Sequence, residues 1–287
     1  RKVNVEQEIA AIAKELHPEI AAALTARRKL LNSPETVREK YAWPKWDDTF
    51  EDPVTKKLCT YRQIIQGLID NFLGLDSEWR WRLNDEVDIP KDAHPLANPG
   101  LELTGPWHPL NMAFNALNSP APMNMPDFED ASPSHFRPEG TPANQPIAIF
   151  GALENAKEIL EGSWSDRAYE VKKKDKIREY KIKAPPAQWP IRFARPPSIH
   201  VQYDHITVEG QPVHGIIPIT LIWALNNYES LTKAGTGLYY YIPKIQIPQE
   251  ALIVERLLER IEGLIGVQTG TIKIKVLYEE GNAGRVL

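Results

Sequence analysis

Leu101–Asp130 reads LELTGPWHPLNMAFNALNSPAPMNMPDFED. Two short apolar runs, Leu101–Thr104 and Met123–Phe128, flank Pro109–Leu117, whose apolar positions recur at helical spacing. Strand, helix and strand in so short a span is the pattern of a βαβ unit, where the helix returns the chain so that the second strand lies parallel to the first. The alternation continues downstream. Strands are expected at Ile191–Ala194, Leu238–Ile242 and Thr271–Tyr278, with helices at Ile217–Thr232 and Gln249–Leu264. The last helix carries Leu252, Ile253, Leu257, Leu258, Ile261 and Leu264 as its buried stripe. Repeated βα units predict an α/β protein built on a parallel barrel of the (β/α)8 TIM type.

Between the second and third strands, residues of about 140–190 form an insertion. It is expected to hold a short helix, Leu153–Leu160, a β-hairpin, Tyr169–Ile182, and a proline-rich connector, Ala184–Pro190. Residues 99–287 then make the first part of a barrel, with five strands where closure takes eight. No internal repeat supplies the rest, so the sequence predicts completion by a C-terminal segment or a second chain. Residues 1–98 make a helical region and linker. A first helix is expected within Asn4–Tyr41, broken or kinked at Pro18, and a second at about Tyr61–Phe72. Trp43, Trp46, Trp79 and Trp81 are expected to staple this region onto the barrel.

The chain has 287 residues, of which 42% are hydrophobic and 25% charged, enough apolar content to bury a sizeable core. A net charge of −4 gives no reason to expect nucleic acid, and the basic run Lys172–Lys176 reads as a solvated hairpin tip. Cys59 is the only cysteine, so an intrachain disulfide is impossible and a cytoplasmic-type compartment is expected. No stretch is long and apolar enough to predict a membrane span.

In a parallel barrel the chemistry sits where strands end and loops begin. The second strand runs into Asp127-Phe128-Glu129-Asp130, the third into Arg195, the fourth into Lys244 and the fifth into Glu279-Glu280. Carboxylates without thiol or imidazole partners suit a hard cation, Mg²⁺ above all, and a permanently charged arginine beside them can stabilise an oxyanion or enolate. The ordinary reading stands beside this one. Asp127–Asp130 could be a loop and capping cluster, and Glu279-Glu280 the acidic first turn of a helix. His200 and His108 lie beside strand ends, but a histidine among apolar residues is more often structural. Tyr239-Tyr240-Tyr241 alternates faces in a strand and reads as packing.

Several motifs occur in the order of one known family. Leu103-Thr104-Gly105-Pro106, Asn115-Ala116-Leu117-Asn118-Ser119, Asp127-Phe128-Glu129-Asp130 and Ser132-Pro133 resemble the malate synthase signature of a TGP turn, an NALNS helix end and a DFEDS strand end. Arg195-Pro196 followed by His200 is similar to the family's RPRGWHL segment, and Val213–Tyr228 to the helix that follows it. Tyr241-Ile242-Pro243-Lys244 is similar to its YLPK strand, and Gly270-Thr271-Ile272-Lys273 with Val276-Leu277-Tyr278-Glu279 to its GTIKATVLIE strand. Ala26-Arg27-Arg28-Lys29-Leu30-Leu31 looks like its first helix. The resemblance covers nearly the whole chain but only the first half to two-thirds of the family's extent.

That resemblance implies a glyoxylate-cycle acyltransferase. In it a Mg²⁺-dependent Claisen condensation joins acetyl-CoA, or another acyl-CoA, to glyoxylate or another 2-oxo acid, and thioester hydrolysis follows. Carried over by position, Arg195 is the catalytic arginine, Glu279 a direct Mg²⁺ ligand, and Glu129 and Asp130 line the metal site with Asp127 supporting them. Lys244, His200 and Glu280 are candidates for substrate binding. The sequence departs from the family at Pro197-Ser198-Ile199, where Arg, Gly and Trp are usual, and at Gln246, where the family has Glu. The family's second aspartate ligand and its aspartate general base fall beyond Leu287. A malyl-CoA or citramalyl-CoA lyase, or a non-catalytic barrel subunit, therefore stays open beside the synthase.

Overall fold

A computed structural model describes residues 3–31, 45–51, 57–63, 66, 102–132, 148–173 and 176–279. In chain order these form α1 (Val5–Leu31), β1 (Thr49–Glu51), β2 (Leu58–Thr60), β3 (Glu102–Gly105), α2 (Leu110–Leu117), β4 (Met123–Pro126) and α3 (Ala148–Leu160). There follow β5 (Tyr169–Lys173), β6 (Lys176–Tyr180), β7 (Ile191–Arg192), β8 (Gln202–Val208), β9 (Gln211–His214), α4 (Ile216–Lys233), β10 (Tyr239–Ile245), α5 (Pro248–Ile265) and β11 (Lys273–Tyr278).

β3, β4 and β7 are neighbours in parallel register, as are β10 and β11. A parallel bridge between Ala194 and Tyr240 joins the two groups, with Ala194 N–H donating to Tyr239 at 3.0 Å and Tyr241 N–H to Ala194 at 2.9 Å. The five strands thus stand side by side in sequence order, which is the winding of a barrel rather than of a doubly wound sheet. The complete eight-stranded closure is not present among the described residues. All five sequence-derived strands fall where expected, with ends shifted by a few residues.

The burial of each element follows from its neighbours. β10 is covered on both faces, so its alternation is lost and Tyr239, Tyr240, Ile242, Pro243 and Ile245 are all buried. α4 is buried nearly all round, because α1, α3 and α5 pack on it. Trp223 of α4 meets the rings of Trp107 at 6.4 Å and Phe128 at 5.7 Å beneath the strand ends. α5 starts with Pro248 in its first turn and ends at Gly266, whose φ of 76° only glycine adopts without strain.

Three expectations need correction. α1 runs through Pro18 without a break. Pro18 lies on the exposed face, while Ile12, Leu16, Ile20 and Ala23 of the opposite face are buried, and that packing outweighs the lost hydrogen bond. Ion pairs also fasten the helix along its length: Lys14 with Glu209 at 2.6 Å, Arg260 with Glu8 at 3.2 Å, and Arg256 with Glu19. Trp46 does not staple the N-terminal region to the barrel. It is 51% exposed, with Tyr61 and Arg62 as its ring neighbours. Trp43, Trp79 and Trp81, and most of the helix expected at Tyr61–Phe72, lie outside the described residues.

The third correction is at Val213 and His214, which the resemblance places with the helix after the third strand but which belong to an antiparallel hairpin, β8–β9. Its two-residue turn, Glu209-Gly210, has φ values of 50° and 77°, as the twist of a tight hairpin requires. The hairpin packs on α1, where His214 meets the ring of His17 edge to face at 5.4 Å and its Nδ1 lies 2.7 Å from the Ile199 carbonyl. The expected insertion hairpin is present as β5–β6, with Lys172, Lys173 and Lys176 near its turn.

Burial holds the His214 imidazole far below its ordinary value, at about 4, so the folded protein keeps it neutral. This contribution is full above the ordinary value of 6.5 and is lost as pH falls from there towards 4. Its full size is about 3 kcal/mol. A His214→Gln variant is expected to flatten the pH dependence of the urea midpoint across that window; an unchanged slope would assign it to other groups.

Candidate active site

β4 ends at Pro126, and the next residue is tied to the end of the neighbouring strand by a parallel bridge between Asp127 and Arg195. Arg195 N–H donates to the Pro126 carbonyl and Phe128 N–H to that of Arg195, both at 2.9 Å. The acid-bearing and arginine-bearing ends are thereby held in fixed register. Asp127 then turns the chain on itself: its Oδ1 accepts the N–H of Glu129 at 2.9 Å and of Asp130 at 3.1 Å, and its carbonyl accepts Ser132 Oγ at 2.7 Å.

This turn presents three carboxylates to one guanidinium. Arg195 Nη1 reaches Asp127 Oδ2 at 3.3 Å, while Nη2 reaches Glu129 Oε2 at 2.6 Å and Asp130 Oδ2 at 2.7 Å. The other oxygen of Glu129 accepts Ser198 N–H at 2.9 Å. Lys244 closes the cluster from β10, with Nζ 3.0 Å from Asp130 Oδ1 and 3.3 Å from Glu129 Oε2. A bulge between Ile242 and Ile245 and a φ of 57° at Lys244 break the strand's alternation there. The Tyr241 ring lies 5.8 Å from Arg195 Cζ.

Depth separates the carboxylates. The side chains of Asp127 and Glu129 are 3% and 5% exposed, whereas that of Asp130 is 56% exposed. Burial pushes the Asp127 carboxyl up, against the pull of the Glu129 N–H and Arg195. Burial also pushes at Asp130, but Lys244 and Arg195 together outweigh it and hold this carboxyl below its usual value. Three acids face two bases, which leaves the cluster one negative charge in excess. Arg195 Nε is buried and has no partner among the described residues.

The remaining candidates divide. Glu279 follows β11, is exposed, and accepts Gln246 Nε2 at 3.2 Å. His200 lies beside the cluster through Ser198, whose Oγ is 3.0 Å from its Nδ1, and burial lowers its basicity. His108 is held under α3, its carbonyl accepting Asn155 Nδ2 at 2.9 Å, and is not among the residues paired in the cluster. Glu280 lies outside the described residues. Ser198 and Tyr241 were not singled out from the sequence. Ser198 acts through its backbone N–H, which its residue type does not announce, and Tyr241 was read as packing.

The donors suit Mg²⁺ in kind: they are carboxylate oxygens, and two of them, Asp130 and Glu279, are exposed at strand ends. Glu129 and Asp130 are turned onto Arg195 and Lys244. Among the described residues no group of three or more His, Cys, Asp or Glu side chains is placed to hold a metal ion.

With this geometry in view, residues 191–285 match the model of the malate synthase TIM barrel domain. The chain is similar to malate synthases. It is 31% identical over 188 residues to malate synthase of Arabidopsis thaliana, covering 64% of this chain and 30% of that protein. To the glyoxysomal malate synthase of Cucurbita maxima it is 31% identical over 209 residues, 72% of this chain and 34% of the relative. A bifunctional glyoxylate cycle protein of Caenorhabditis elegans is 26% identical over 238 residues, 79% of this chain and 22% of that protein. The chain thus spans about a third of the length of the malate synthases it matches.

Arg195→Met leaves Asp127 buried without its cation and Glu129 with Lys244 alone. A loss on the order of 3–5 kcal/mol is expected at neutral pH by urea denaturation. The loss is expected to shrink on acidification, because protonation removes the uncompensated charge, and a loss that grows on acidification would contradict the pairing.

Proposed function

We propose that the chain forms the substrate-activating part of a malate-synthase-type enzyme, which condenses acetyl-CoA, or a related acyl-CoA, with glyoxylate or another small 2-oxo acid. The observation that carries this is the Arg195 guanidinium, buried at the strand ends and bridging three carboxylates, with its Nε–H unpaired among the described residues. In the reaction a base takes a proton from the acyl methyl group, and the enolate carbon attacks the carbonyl carbon of the 2-oxo acid. The new alkoxide takes up a proton, and water then cleaves the thioester to release the hydroxy diacid and CoA.

Negative charge builds first on the thioester oxygen and then on the 2-oxo acid's carbonyl oxygen. A fixed guanidinium stabilises such charge without reorganising, because Asp127 and Glu129 already fix its plane. Lys244, on the more open side, suits the carboxylate of the 2-oxo acid or a CoA phosphate. Mg²⁺, held by Glu279 with Glu129 and Asp130 lining its site through water, would act as Lewis acid and template for the 2-oxo acid. Asp127 supports that lining by its grip on the Glu129 and Asp130 amides.

The test is Mg²⁺-dependent release of the CoA thiol from acetyl-CoA in the presence of glyoxylate. Arg195→Lys is expected to lower kcat by about 10²- to 10³-fold, the loss typical of a displaced oxyanion donor. Cleavage of malyl-CoA to acetyl-CoA and glyoxylate with no free thiol would replace the synthase by a lyase using the same residues. Turnover in neither direction by the protein with its barrel completed would leave a non-catalytic barrel relative.

A further inference from the structure

Lys244 and Glu209 are the two residues other than glycine with positive φ among those described, and the Glu209 conformation belongs to a hairpin turn. Lys244 sits in the bulge between Ile242 and Ile245 at the end of β10. A lysine at φ 57° is strained and keeps that conformation only where its surroundings impose it. The imposing contact follows two residues later. Glu250 Oε2 accepts the backbone N–H of Gln246 at 2.7 Å and of Ile247 at 3.3 Å. Its other oxygen receives Arg27 Nη1 of α1 at 3.0 Å.

Capping of α5 accounts for only part of this. A cap uses the Ile247 N–H; the stronger bond to Gln246 grips the residue before the helix, on the segment that bears the site. The Glu250 side chain is fully buried, so its charge depends on the cation that Arg27 brings. Beyond the grip, the Gln246 amide reaches Glu279, whose N–H donates to the Ile245 carbonyl at 3.3 Å. One buried ion pair therefore stands behind both the lysine that contacts Glu129 and Asp130 and the glutamine that contacts Glu279.

We propose that Arg27 and Glu250 are positioning residues of the active site: by gripping the Gln246 and Ile247 amides they hold Lys244 against Glu129 and Asp130, and Gln246 against Glu279. The inference rests on the strand-end cluster being the site of acyl-CoA chemistry. It makes α1 part of the catalytic apparatus although α1 supplies nothing to the cluster itself.

Arg27→Met, Arg27→Lys and Glu250→Gln in the full chain test it. α1 is expected to stay docked in all three through Ile12, Leu16 and Ile20 and its other ion pairs. The first readout is acylation of Lys244 by acetic anhydride, followed by peptide mass spectrometry with exposed Lys14 as internal reference. Arg27→Met and Glu250→Gln are expected to raise Lys244 labelling severalfold, and Arg27→Lys to restore part of the protection. The second is turnover, where kcat should fall about tenfold to a hundredfold with KM for acyl-CoA little changed, the signature of misplaced groups rather than lost binding.

Unchanged Lys244 labelling overturns the inference, as does an active enzyme whose kcat is indifferent to both variants. If the wild-type protein with its barrel completed shows no turnover, the proposed reaction fails, while the labelling still decides whether the clamp holds Lys244.

Discussion

Asp127, Glu129 and Asp130 repel one another, and two of them are taken almost wholly out of water. Such a cluster is tenable only if a cation is brought to it with its geometry already fixed, and Arg195 is that cation. The demand propagates outward. The end of β4 must lie directly beside the end of β7, so the insertion separating them in sequence has to leave the sheet and return. The bridge between Asp127 and Arg195 fixes the register of the two strands. β10 must follow β7 for Lys244 to reach the outer carboxylates, and the bulge before Ile245 turns it there.

Much of this was legible because it rests on local pattern. The β4 run and its acidic end, the arginine after β7 and the lysine after the tyrosine-rich strand could all be placed at strand ends, and the motif order joined them to one family. What escaped depended on partners distant in sequence. Pro18 looked like a helix breaker because its own chemistry says so, and only the apolar face opposite it, buried on α4 and α5, overrules that. Trp46 reads as a staple on hydrophobicity alone. The β8–β9 hairpin was missed because its turn has a glutamate where an asparagine or aspartate would have announced it.

The site shows the same division. Residue type identified the charged groups but not who neutralises whom. The sequence places Glu129 and Asp130 along the lining of a metal site, and in the structure a guanidinium and an ammonium already supply positive charge there. Any further cation must compete with them or share the carboxylates, which makes the exposed Asp130 and Glu279 the accessible members of the set. Glu250 attracted no notice among the acids of an amphipathic helix, yet it is buried, and its two oxygens join α1 to the loop that carries Lys244 and Gln246.

The separation between Arg27 and Glu250, 223 residues, has a consequence for how the molecule is made. At a synthesis rate of 5–20 residues per second, α1 leaves the ribosome roughly 10–45 s before its partner on α5 exists. Throughout that interval Ile12, Leu16 and Ile20 lack the surface that later covers them. α1 is thus secured long after it is made, and a nascent chain must keep its apolar stripe from other partners until α4 and α5 have been laid down.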